Sequence, residues 1–136
     1  MNPAKLNEFA AAYTSAWCSQ NAASVAAFFS PAGYLRINDG SPAVGRTAIT
    51  GAAQSFMTAF PDLRVRLDRI ILDGVSIKYH WTLTGTNTGP GGTGKSVRIS
   101  GHENWKFAVD GLIAESDGHF DAAEYERQLK AYPEIL

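Results

Sequence analysis

Gly89-Pro90-Gly91-Gly92-Thr93-Gly94-Lys95-Ser96-Val97-Arg98-Ile99-Ser100-Gly101 is the stretch whose reading decides the fold. Its first eight residues satisfy the phosphate-binding pattern of a glycine, four residues, then Gly-Lys-Ser. Such a loop holds phosphate because a strand delivers glycine amides and the following helix presents its positive N-terminal end. Here the residues after Ser96 alternate with a period of two, and Val97 and Ile99 are β-branched. That pattern predicts a strand, so no helix N-terminus follows Lys95. The glycine-rich run then reads as a flexible loop joining two strands. Nucleotide binding remains the alternative that a helix after Lys95 would revive.

The strand pattern extends on both sides of this loop. Upstream, Ile77, Tyr79, Trp81 and Leu83 alternate with Lys78, His80, Thr82 and Thr84, and Asp73-Gly74 marks a hairpin. Before that hairpin, Leu63, Val65 and Leu67 alternate with Arg64, Arg66 and Asp68. Downstream, a strand from Val97 to Phe107 turns at Asp110-Gly111 and returns over Leu112 to Phe120. Asp121, with Glu124 three residues on, forms a capping pair for a last helix to about Lys130.

The N-terminal half has helical spacing instead. Asn2-Pro3 reads as an N-cap and first helical position, followed by an apolar face of Leu6, Phe9, Ala10, Tyr13 and Trp17. Asn21 caps a short second helix carrying Val25, Phe28 and Phe29, which Pro31 and Gly33 end. Tyr34 to Ile37 is a short strand, and Asn38-Asp39-Gly40-Ser41-Pro42 a turn. A third helix follows Gly45, with Ile49, Ala53, Phe56, Met57 and Phe60 on one stripe, and Pro61 stops it. Helices followed by long antiparallel strands predict an α+β fold: one curved sheet with helices packed on its concave face.

At 136 residues the chain reads as one domain that buries roughly two-thirds of its unfolded surface. A formal net charge of −1, with scattered Lys and Arg, offers no field for nucleic acid or an anionic membrane. One cysteine, Cys18, excludes an intrachain disulfide and a thiolate-rich metal site. With no signal pattern and no membrane-length apolar run, a soluble cytoplasmic protein is the expectation. Three Trp, five Tyr and seven Phe are generous for this size, which suggests that some rings line a cavity.

Several phrases, in this order, resemble a known family. These are Ala16-Trp17 before a polar break, Phe56 through Phe60-Pro61-Asp62-Leu63, Trp81-Thr82 with Gly85-Thr86, and Asp110-Gly111 with Ile113 and Glu115. Together they resemble the SnoaL-like polyketide cyclases, within the wider nuclear transport factor two-like superfamily of ketosteroid isomerases, limonene epoxide hydrolases and scytalone dehydratases. The resemblance covers nearly the whole chain. It implies a cone-shaped fold, an apolar pocket for a small molecule, no cofactor, and commonly a homodimer built on the sheet. The cyclases carry a general acid/base aspartate late on the last strand; here the matching position falls on Gly118, after Asp117. Asn87 stands where a histidine commonly ends the Gly-Thr-His phrase.

Pairing across Asp110-Gly111 assigns strand faces. If Val109 opposes Leu112, then Lys106 opposes Glu115, Asn104 opposes Asp117 and His102 opposes His119, all on a polar outer face. The inner face carries Phe107, Trp105, Glu103 and Gly101 against Ala114, Ser116, Gly118 and Phe120. Glu103 is the anomaly there. Buried without a cation, its carboxyl is prepared for proton transfer; near a strand end at Gly101, it would simply reach solvent. Asp117 and His119 lie outside in this register, and a one-residue bulge would turn them inward as an acid/base pair. Tyr13, Trp17, Phe56, Trp81 and Trp105 are assigned as walls of a pocket for a flat apolar ligand, with ordinary core packing as the alternative. His80, His102 and His119 show no short paired spacing, so no metal site is expected. Arg36, Arg64 and Arg66 read as exposed strand residues.

Two functional classes follow. The leading one is a small-molecule-pocket protein acting as a cofactor-independent acid/base isomerase, cyclase or hydratase of an apolar carbonyl compound. Glu103, or the Asp117 and His119 pair, would move the protons. The competing class is a non-catalytic ligand-binding or dimerisation module that kept the fold and lost the acid.

Overall fold

The structure, a computed structural model, describes residues 2–130. Its elements in chain order are α1 (Pro3–Trp17), α2 (Ala22–Ala26), β1 (Phe29–Ile37), β2 (Ala43–Val44), α3 (Arg46–Ala59), β3 (Arg64–Asp73), β4 (Ser76–Thr86), β5 (Ser96–Phe107), β6 (Ile113–Phe120) and α4 (Ala122–Leu129). The architecture is α+β. Six strands form one curved sheet in the order β2-β1-β6-β5-β4-β3. Neighbouring strands are antiparallel except β1 and β6, which run parallel.

That parallel pair corrects the expected end of the second helix. Phe29 opens β1 by pairing with Ile113, and the strand runs on through Pro31 and Gly33 rather than stopping there. The pairing shifts register between Phe29 and Tyr34, and the bulged segment accommodates Pro31, which has no amide for the ladder. Gly33 is needed at this point: a Cβ there would meet the carbonyl oxygen of Ile113 at 2.7 Å.

Asn2 and Asp121 cap their helices through their side chains, whereas Asn21 stands at the N-cap of α2 without a side-chain bond. Asn2 Oδ1 accepts the Lys5 amide at 2.8 Å, and Asp121 Oδ1 accepts the Glu124 amide at 3.0 Å. Gly74 turns the β3–β4 hairpin with φ 62°, in the left-handed region that favours glycine.

The glycine-rich loop leads from β4 directly into β5, with no helix after Lys95. Its polar groups are spent on the loop itself. The Gly94 amide donates to Asn87 O at 2.8 Å, Thr93 to Asn87 Oδ1 at 2.7 Å, and Gly92 to Gly89 O at 2.9 Å. Asn87 therefore organises the loop, and its amides do not form a phosphate cradle.

Helices α1 and α3 cover the inner face of the sheet. The largest fully buried side chains are Trp105, Tyr13, Tyr79, Phe29 and Phe60. Tyr79 stacks on Trp105 at 4.7 Å between ring centroids, and Tyr13 meets Trp105 edge-on at 5.1 Å. Burying rings of this size, about 150–250 Å² each, dominates the energetics of the core. It also creates a demand for polar partners at the tips of Tyr and Trp. The partner proves to be Glu103.

Candidate active site

Glu103 sits on β5 opposite Gly118 of β6 and Tyr79 of β4, facing the helices. Only 7 % of it is exposed. Its Oε1 accepts three hydrogen bonds: from Tyr13 Oη at 2.9 Å, Trp105 Nε1 at 2.9 Å and Ser116 Oγ at 2.7 Å. Among the described residues, Oε2 accepts none. Burial pushes the carboxyl above the ordinary glutamate value, and the donors Trp105, Ser116 and Tyr13 act against that rise. Tyr13 is itself pushed well up, first by burial and then by the neighbouring Glu103 charge.

Glu103 also lines a partly enclosed cavity of about 60 Å³, with Trp17, Phe56, Tyr79, Trp81, Phe120 and Tyr125 as its aromatic walls. Gly118 lies opposite, where a Cβ would make ordinary contact with Glu103 Cγ at 3.7 Å. Most polar tips around this cavity are turned away from it. Thr14 Oγ1 donates its one proton to Ala10 O at 2.7 Å, so in its 2.5 Å contact with Tyr79 it is the tyrosine that donates. The indole N–H groups of Trp17 and Trp81 are buried without acceptors among the described residues. Trp17 lies close enough to Tyr13 to temper its shift, yet outside hydrogen-bonding geometry. The half-buried Tyr125 packs against Phe120 at 5.5 Å, and its hydroxyl carries no partner among the described residues.

These placements sort the expected site residues. Glu103, Trp17, Phe56 and Trp81 come together around the cavity. Tyr13 and Trp105 do not form its walls; both are fully buried beneath Glu103 and act as donors to it. Asp117 and His119 lie on the opposite face of the sheet. The bulge that would turn them inward is not there, because the register shift falls between Lys106 and Phe107, close to the turn. Asp117 instead pairs with Arg36 at 2.7 Å and accepts from Tyr34 at 3.0 Å. His119 joins a row of imidazoles, 5.2 Å from His102, which is 5.5 Å from His80. Burial holds His80 and His102 below the usual histidine value. Among the described residues, no group of three or more His, Cys, Asp and Glu is arranged to hold a metal ion.

Two participants escaped the sequence reading. Ser116 was placed on the inner face but given no role, although it makes the shortest bond to Glu103. Tyr125 belongs to α4, which has no buried residue, so no apolar stripe in the sequence marks it.

The donors predict a pH effect. A hydrogen bond to the charged form of a carboxyl stabilises that form, so deleting one raises the pKa. Ser116→Ala should therefore move the Glu103 titration to higher pH, followed by ¹³C NMR of the side-chain carboxyl. An unmoved or lowered midpoint would show that Ser116 does not stabilise the carboxylate.

Known structures share this architecture at low identity. TsrD from Streptomyces laurentii is 19 % identical, with 97 % of this chain and 99 % of that one covered and a TM-score of 0.82. An NTF2-like protein of unknown function from Burkholderia pseudomallei K96243 is 20 % identical, covering 92 % and 97 % with a TM-score of 0.77. A protein of SnoaL-like polyketide cyclase type from Jannaschia sp. CCS1 is 18 % identical, covering 93 % and 94 % with a TM-score of 0.75. At these identities the likeness establishes the fold. No curated protein matches the sequence. The SnoaL-like polyketide cyclase model matches residues 7–129, nearly the whole length, and the chain belongs to that family.

Proposed function

We propose that this chain is an acid/base enzyme that moves a proton within a small apolar carbonyl compound, with Glu103 as the group that takes and returns it. The observation that carries this reading is the division of labour within one carboxyl: Oε1 is held by three donors, while Oε2 accepts no hydrogen bond among the described residues and the side chain borders an apolar cavity. A raised carboxyl pKa brings a glutamate toward the range where both protonation states are usable near neutral pH.

In the forward step, Oε2 takes a proton from the carbon beside the carbonyl, and the C–H electron pair becomes an enolate. The neutral carboxyl then returns the proton to a second carbon as the carbonyl re-forms. Tyr125 is the residue suited to donate to the enolate oxygen. One carboxyl that serves both transfers is sufficient for an isomerisation. A hydration or an aldol cyclisation asks for a second proton carrier, so isomerisation is the member of the set this site favours. The reading keeps the cofactor-independent chemistry and the homodimer that the family resemblance implies.

Binding without turnover is the second reading. It draws support from the cavity volume of about 60 Å³, small beside the roughly 300–1,000 Å³ of ordinary ligand pockets. Incubation with β,γ-unsaturated cyclic ketones in D₂O, followed by ¹H NMR, separates the two. Conversion to the conjugated ketone at a rate well above buffer supports the enzyme. Saturable binding with no conversion and no deuterium exchange at the α-carbon would leave the binding module.

A further inference from the structure

Glu103 is a carboxylate whose counter-charge is missing from its surroundings. Among the described residues, none that lines the cavity is Lys, Arg or His. All of its described donors are neutral and all of them serve Oε1. An ionised carboxyl buried in this way is costly unless something positive meets its free oxygen. The surroundings of that oxygen are aromatic: Trp17, Phe56, Tyr79, Trp81, Phe120 and Tyr125 line the same cavity. The Nε1 atoms of Trp17 and Trp81 are buried and have no acceptor among the described residues. Aromatic rings around a single carboxylate are the complement of an organic cation, because ring faces attract positive charge and tolerate methyl groups.

We propose that this cavity binds an alkylammonium cation, with its positive head against Glu103 Oε2 and its methyl groups against the aromatic rings. The inference rests on the same open oxygen as the proton-transfer reading but not on turnover. An anionic ligand is disfavoured by like charge. A neutral ligand, such as the ketone of the proton-transfer reading, gains no charge attraction from it. The cavity volume of about 60 Å³ is that of about two water molecules, so a methylammonium head fits within it, while a trimethylammonium head and any longer chain extend into the opening. Protons compete with the cation for Glu103. Its affinity should therefore rise about tenfold per pH unit below the Glu103 titration and level off above it.

Choline and 3,3-dimethylbutan-1-ol share a shape and differ by one positive charge at the branched centre. Each would be titrated into the ¹⁵N-labelled protein, following the indole N–H resonances of Trp17 and Trp81, with methylammonium as a smaller cation. The expected result is at least tenfold tighter binding of a cation than of the alcohol, tightening as pH rises. Glu103→Gln should abolish that preference and leave alcohol binding unchanged. Equal affinities for cation and alcohol, or a preference that survives in Glu103→Gln, would overturn the inference. Failure of both choline and methylammonium would do so as well. If the ammonium ions fail while a cyclic ketone is still isomerised, the cation site falls and the proton-transfer reading stands. If the cations bind and no ketone reacts, the reverse holds.

Discussion

Glu103→Gln should lower turnover of an isomerisable ketone by about 10²–10⁴, the range that general acid/base groups contribute, and leave the fold intact. The substitution suits the site because the amide oxygen still accepts from Tyr13, Trp105 and Ser116, the groups that hold Oε1. What is lost is the proton-carrying Oε2. The same variant reports on stability. The folded state raises the Glu103 pKa above its ordinary value of 4.5, so the folded chain binds this proton more tightly than the unfolded one. The contribution of Glu103 to stability is then greatest below the ordinary value, falls as pH climbs through the window up to the raised folded value, and levels off above it. Glu103→Gln removes that fall. Urea unfolding at several pH values checks this arm, and kcat/KM checks the other. A variant that keeps its turnover takes Glu103 out of the chemistry. One that keeps the pH-dependent loss of stability assigns the slope to another group.

Each element is legible in the sequence only as far as its physics is local. Period-two alternation from Ile77 to Leu83 and from Val97 to Phe107 marks strands through local sterics. The pairing of Asn104 with Asp117 and of His102 with His119 follows from one turn, so the inward placement of Glu103 was readable. The parallel pairing of Phe29 with Ile113 joins residues far apart in the chain and leaves no local trace. Phe28 and Phe29 therefore looked like the apolar face of a helix. Depth is equally silent in an alternating pattern. Tyr13 and Trp105 point inward as expected, but only packing decides that they lie under Glu103 while Trp17 and Trp81 border the cavity. The division between Oε1 and Oε2 depends on donors from three elements, α1, β5 and β6. No single segment encodes it.

Trp105 holds this arrangement together, and its replacement should have the largest effect on stability. It is fully buried, stacked on Tyr79 at 4.7 Å with an interplanar angle of 12°, and set edge-on to Phe9 and Tyr13. Trp105→Ala removes that packing and should cost about 3–5 kcal/mol, a large share of the 5–15 kcal/mol that domains typically possess. The melting temperature should fall on the order of 10 °C or more. Trp105→Phe separates the two roles of the indole. Phe keeps most of the ring contact with Tyr79 but has no N–H for Glu103 Oε1. It should retain more of the stability than Ala, while the Glu103 titration moves to higher pH as it does in Ser116→Ala. Denaturant midpoints and the carboxyl ¹³C titration on the same variant measure the two effects. If Phe destabilises as severely as Ala, the bond to the carboxylate outweighs the stacking. If Phe leaves the titration where it was, the indole is packing alone, and Tyr13 and Ser116 carry the carboxylate between them.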